Sequence, residues 1–209
     1  MTATRKPVLT DGTTSRRLCG WPNYFWKPGD TINIFIMNQQ ENLKFKGYID
    51  QAIVQWSQCC YIFFEFVKKA KDSDIRIKFT TDPCGSITVI VLHEFGHALG
   101  FLHEHSSPAC TIEWNKRAVR CMYHQHSKED LEVNFFQREN PDITVCSDFD
   151  RNSIMIYNIP GTLLRNTAAI PEPTHLSHTD QKQARLIYPF PSDNPRGSPA
   201  TVRRRRRSP

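Results

Sequence analysis

The stretch HEFGHALGFLHEH, residues 93–105, holds four of the chain's eight histidines, two glutamates and two glycines. On a helix of 3.6 residues per turn, His93 and His97 share one face, one turn apart. Two imidazoles at that spacing can bind one metal ion. Glu94 is rotated about 100° from His93, so it flanks the metal without ligating it. Gly100 suits the end of this helix, because glycine takes the left-handed conformation without steric cost. The chain then turns and returns a third imidazole, His103. Three neutral histidines leave one open position on zinc.

That open position is where chemistry is expected. Zinc lowers the pKa of a bound water from about 15.7 to near 7. Glu94 stands where it can take the proton, and the hydroxide so formed can attack a peptide carbonyl. The same carboxyl can then return the proton to the leaving amine. The expected metal ligands are therefore His93, His97 and His103 around a single zinc ion, with Glu94 as general base and acid. His105 is set aside as a ligand, because the Gly-x-x-His spacing selects His103; it is expected to line the site or lie at the surface.

HEFGHALGFLH fits the pattern HExxHxxGxxH, and in this the chain resembles the metzincin metalloproteases. Downstream, SIMIYN resembles that family's methionine turn, with Met155 placed 52 residues after His103. Tyr157 and Glu104 are similar to the astacin branch, as are WKPGDTINIFI, SDIRIKF and the closing LSHTDQKQARLIYP. The resemblance runs from about residue 20 to residue 190. It implies an α+β zincin-like (metzincin) fold: a twisted mixed β-sheet, two long helices and an irregular C-terminal subdomain, with the substrate in a cleft between the parts. It implies a zinc metalloendopeptidase acting on protein or peptide substrates. It gives Met155 the role of an apolar floor beneath the histidines. Tyr157 it makes a resting zinc ligand or a hydrogen-bond donor to the oxyanion.

Two departures stand out. After His103 the run is EHSSPACT, without the arginine and aspartates usual in the astacin branch. From Arg76 to His93 there are only 17 residues, where relatives fit an edge strand that pairs with the bound peptide. The alternative function is therefore a non-catalytic zinc-binding relative with a shortened substrate-binding sheet.

Working outward, TINIFIMN alternates and is β-branched, which predicts a strand over Thr31–Met37. Residues 42–56 place Phe45, Tyr48, Ile49, Ala52, Ile53 and Trp56 at helical spacing. YIFFEFV and DIRIKF read as two more strands, and Ser86 or Thr88 as a cap for the motif helix. Weaker helical patterns cover 115–125 and 127–136. A last helix is capped by Ser177, places Gln181, Ala184, Ile187 and Tyr188 on roughly one side, and stops at Pro189. Trp21, Trp26, Trp56 and Trp114 are expected as packing anchors, and His124, His126, His175 and His178 as solvated.

Composition, with 39% hydrophobic and 23% charged residues, fits a globular domain with a real core. No apolar run is long enough to span a membrane. The net charge of +6 falls to +1 without Arg203–Arg207, so the folded part is not an obvious nucleic-acid binder. The expected organisation is a flexible segment over 1–18, the peptidase domain over 19–190, and a disordered arginine-rich tail over 191–209. The Arg203–Arg207 run leaves open nucleic acid, an anionic membrane or a sorting receptor as partner, or a plain solvated tail. Seven cysteines without a CxxC pair suggest two or three disulfides and a free thiol, pairings unspecified. Cys19 in RLCGWPN could alternatively act as a metal-capping switch thiol. Cysteine count and resemblance favour an extracellular location, although the N-terminus as written has no secretory leader.

Overall fold

The structure, a computed structural model, describes residues 19–37, 42–78 and 86–193. Strand β1 (Thr31–Ile36) lies at the centre of a three-stranded sheet in the order β2-β1-β3, with β2 at Phe63–Phe66 and β3 at Ile75–Ile77. Both pairings are parallel; Thr31 faces Phe63, and Ile34 faces both Phe66 and Ile75. A mixed sheet was expected, but the described strands run one way. Parallel neighbours need a crossover, and helix α1 (Asn42–Ser57) provides it between β1 and β2. Ile32 and Ile34 alternate inward and are fully buried.

Ile49, Ala52 and Trp56 form the buried stripe of α1, at the spacing the sequence predicts. The Trp56 indole donates to the Leu92 carbonyl at 3.0 Å and stacks on Phe101. A buried indole needs such an acceptor. It ties α1 to helix α2 (Ile87–Ala98) one residue before His93. Ser86 occupies the N-cap position of α2, but its side chain makes no capping bond. At the other end Gly100 has φ +98°, the Gly100 N–H bonds His97 O at 2.9 Å, and the Phe101 N–H bonds Gly96 O at 3.0 Å. That pair of bonds is a Schellman stop, which explains why a glycine closes the helix and turns the chain back.

The second half holds short helices: α3 (Lys116–Met122), α4 (Lys128–Leu131) and α5 (His178–Ile187), with a π-helical turn at Glu132–Phe136 after α4. Asn115 caps α3, and capping boxes Ser127/Asp130 and Ser177/Asp180 start α4 and α5. The inward face of α5 is Asp180, Gln183, Ala184 and Ile187, while Gln181 is exposed. Asp180 faces inward because it serves the loop beneath the site, as described below.

Two apolar clusters result. The first packs the sheet, α1, α2 and α5, and includes Met155. The second, around Trp114, Val119, Leu131 and Ile170, includes Ile156. Consecutive residues 155 and 156 thus enter different cores, and the seam between them carries the site. Trp56 and Trp114 are packing anchors as expected, as is Trp26, which packs half-buried against the first cluster and donates to the Ala98 carbonyl at 2.9 Å, while Trp21 is only partly buried. His124, His126, His175 and His178 are exposed. Pro191–Asp193 forms a further turn held by the Arg185–Asp193 ion pair at 2.8 Å, beyond the expected boundary at 190. The expected flexible segment 1–18 and the tail from 194, with Arg203–Arg207, lie outside the described residues. Among the described residues, no helix is long and apolar enough to cross a membrane.

Candidate metal centre

His93 and His97 leave α2 on one face, and the glycine stop returns His103 to meet them. The three histidines form a group whose ligand atoms all lie within 4.8 Å of one another. Nε2 of His97 is 3.1 Å from Nε2 of His93 and 3.0 Å from Nε2 of His103. His93 Nδ1 is 2.7 Å from the Ile154 carbonyl, and His97 Nδ1 is 2.8 Å from the Phe101 carbonyl. A carbonyl oxygen only accepts, so both Nδ1 atoms carry the proton and both Nε2 atoms present lone pairs. Lone pairs converging at this range repel unless a cation lies between them. Tetrahedral ligation at Zn–N distances of about 2.0–2.1 Å puts neighbouring nitrogens roughly 3.3 Å apart. The donor set therefore fits zinc, and the two carbonyls are the outer partners that orient imidazole ligands.

Electrostatics agree. Burial, then His97 nearby, pushes His93 down to about 4 and His103 down to about 2. Both rings are neutral near pH 7, the form that ligates a metal.

Glu94 is partly exposed and opens into a cavity of about 830 Å³, which His97, Trp21, Trp26 and Arg76 also line. Tyr157 is 46% exposed, and its hydroxyl lies 2.6 Å from His103 Nε2. Its ring stacks on His93 at 5.5 Å. Burial, then the Glu94 carboxylate, raises the phenol to about 12, so it stays a proton donor at neutral pH. Met155 is fully buried and forms the floor beneath Gly96. A Cβ on Gly96 would fall 2.3 Å from Met155 Sδ, so this position of the motif has no room for a side chain unless that floor moves.

Sequence reasoning missed several supports. Glu104 is fully buried, and its backbone N–H donates to Met155 O at 2.9 Å. Its Oε1 accepts from the Asp150 N–H at 2.8 Å, and burial raises its carboxyl to about 8. Asp180 accepts from Ser153 Oγ at 2.7 Å, from the Ile154 N–H at 2.8 Å and from the Ser177 N–H at 2.9 Å. One carboxylate thereby links the start of α5 to the turn that holds Met155 and the His93 acceptor. Ser177 signalled a cap, but nothing local signalled that Asp180 would also hold Ser153 and Ile154.

His105 is not at the surface. It is 1% exposed, stacks on His103 at 5.2 Å and bonds Asn134 O through Nε2 at 2.9 Å. Cys19 is buried, and it is not among the side chains that converge with the histidines, which does not support the switch reading. None of the six described cysteines is in a disulfide.

The family model for astacin, a peptidase family, matches residues 21–188. The chain belongs to the astacin family. Astacins are zinc metallopeptidases, and the His93–His97–His103 group is able to hold that ion. Among curated proteins the chain is similar to bone morphogenetic protein 1 of Xenopus laevis, 25% identical over 86% of this chain and 28% of that protein. It is 27% identical to human tolloid-like protein 1 over 70% of this chain and 17% of that protein. The chain thus spans under a third of the length of these relatives. Among solved structures, myroilysin superposes with a TM-score of 0.73 at 24% identity, covering 82% of this chain and 98% of that one. High choriolytic enzyme 1, a hatching-enzyme zinc-protease from the medaka Oryzias latipes, gives 0.57 at 19% identity, covering 78% and 94%. These likenesses establish the astacin-type α+β fold for the described residues.

Proposed function

We propose that this domain is an active zinc endopeptidase, with His93, His97 and His103 as ligands, Glu94 as general base and acid, and Tyr157 as oxyanion donor. The observation that carries this reading is the convergence of three Nε2 atoms beside the Tyr157 hydroxyl, with Glu94 and His97 lining an adjoining cleft. Zinc, when bound there, supplies Lewis acidity and a water of lowered pKa. Glu94 removes a proton from the attacking water and delivers it to the amide nitrogen that leaves. Tyr157, kept protonated, donates a hydrogen bond to the oxygen on which negative charge develops. The Ile154 and Phe101 carbonyls hold the two helix imidazoles in one tautomer throughout.

The protein or peptide substrate lies in the 830 Å³ cleft. Strand β3 is an edge among the described strands, and Asp74, Ile75, Arg76 and Lys78 line that cleft together with Glu94 and His97. A sheet edge receives an extended peptide by adding a strand. β3 thus offers a substitute for the edge strand that the short connection to α2 omits, which favours activity over the non-catalytic alternative. Casein digestion decides between them. Hydrolysis that a chelator abolishes and zinc restores is expected; a zinc-loaded, folded chain that cleaves neither casein nor gelatin would leave only the non-catalytic reading.

A further inference from the structure

Cys19 and Cys146 lie on two segments that meet beside the ligand loop. Gly20 bridges Val145 on one side and Phe101 on the other, both antiparallel. Gly20 and Val145 exchange both backbone hydrogen bonds, at 3.0 and 2.9 Å. In antiparallel pairing, the residues flanking such a pair face each other without hydrogen bonds, with α-carbons only about 4.5 Å apart. Those residues are Cys19 and Cys146. Disulfides span α-carbons roughly 4.4–6.8 Å apart, so this register accepts one without backbone movement.

We propose that Cys19 and Cys146 form a disulfide that braces the loop carrying the zinc ligands. The Cys19 carbonyl accepts the Leu102 N–H at 2.8 Å, between Phe101, whose carbonyl orients His97, and His103. Fixing Cys19 to Cys146 therefore fixes the acceptor that positions this loop. The two thiols face each other in this register; their interaction lowers the Cys146 pKa, while the same interaction and burial raise that of Cys19. Cys146, partly exposed, is accordingly the first nucleophile. With a small disulfide such as oxidised glutathione, the Cys146 thiolate attacks one sulfur and expels one glutathione thiolate. Cys19 then gives up its proton, attacks the Cys146 sulfur of the mixed disulfide and expels the second. Two protein thiols are oxidised, and one glutathione disulfide is reduced to two thiols.

The test incubates the full zinc-loaded chain in oxidised or reduced glutathione, then maps peptides without reduction. We expect the Cys19 and Cys146 peptides to be recovered as one linked species only after oxidation. We also expect the unfolding midpoint to rise by roughly 5–10 °C, because the bond closes a long loop. Zinc release to a chelator should slow by roughly tenfold, the scale on which outer supports of ligands act. Cys146→Ser should lose all three responses, and Cys121→Ser should keep them. Two separately alkylated thiols, or either cysteine joined to a different partner, overturns the assignment in wild type even if Cys146→Ser fails to fold. A linked pair with unchanged zinc release overturns the bracing role. None of these readouts involves proteolysis, so the cross-link and the peptidase reading fail separately.

Discussion

Gly96→Ala tests whether the motif helix and the methionine beneath it were fitted to each other. The added methyl would sit 2.3 Å from Met155 Sδ and 3.2 Å from a ring carbon of Trp56. Both neighbours are fully buried, so neither can swing into solvent. Overpacking of this kind costs about 1–3 kcal/mol. Alanine recovers about 1 kcal/mol of helix propensity over glycine, leaving a net loss of up to about 2 kcal/mol. At about 2–4 °C per kcal/mol for a chain of this size, the unfolding midpoint should fall by up to about 8 °C. The larger effect should be on zinc. Displacing Met155 shifts Ile154, whose carbonyl orients His93, and loss of such a partner costs roughly 10–100-fold in metal affinity. Chelator competition measures the affinity, and scanning calorimetry the midpoint. Removing the obstructing side chain in Gly96→Ala/Met155→Ala should make the two losses less than additive, by about 0.5–3 kcal/mol. A Gly96→Ala protein that is more stable than wild type and binds zinc equally well would refute this packing argument.

Three further outcomes are expected. Tyr157→Phe should lower kcat while leaving KM nearly unchanged, since its hydroxyl is needed mainly in the transition state; a change confined to KM contradicts that role. Asp180→Ala should destabilise the domain by about 3 kcal/mol in urea unfolding, because it strands two buried donors and one partly buried donor between α5 and the methionine turn; a loss under about 0.5 kcal/mol would mean that link is unimportant. Zinc at a thousandfold excess over its Kd should stabilise the fold by about 4 kcal/mol, read as a drop in unfolding midpoint after chelation. An unchanged midpoint would place the ion outside the folded core.

The zinc group was legible in the sequence because its rules are local: a helical repeat of four, a glycine stop and a short return. Strand β1, helix α1 and the last helix were legible for the same reason, since period and caps lie within one segment. What stayed hidden depends on distant partners. Spacing groups Gln181 with Ala184 and Ile187 on one side of α5, but it is Asp180 that turns inward, because Ser153 and Ile154 meet it there. His105 reads as one more motif histidine, yet Asn134 and Trp114 enclose it. Cys19 left a disulfide, a free thiol and a metal-capping thiol open until the antiparallel bridge set it opposite Cys146. The mixed sheet implied by the resemblance reduces, among the described residues, to three parallel strands, with β3 left to face the cleft.

The central claim is tested most directly by measuring zinc content and casein hydrolysis on the same preparations of wild type and Glu94→Gln. The amide keeps the three imidazoles and removes the base. A single tightly held zinc per chain in both proteins, with hydrolysis lost in Glu94→Gln alone, is the predicted result. Undiminished hydrolysis by Glu94→Gln, or folded wild-type protein that retains no zinc, would contradict it.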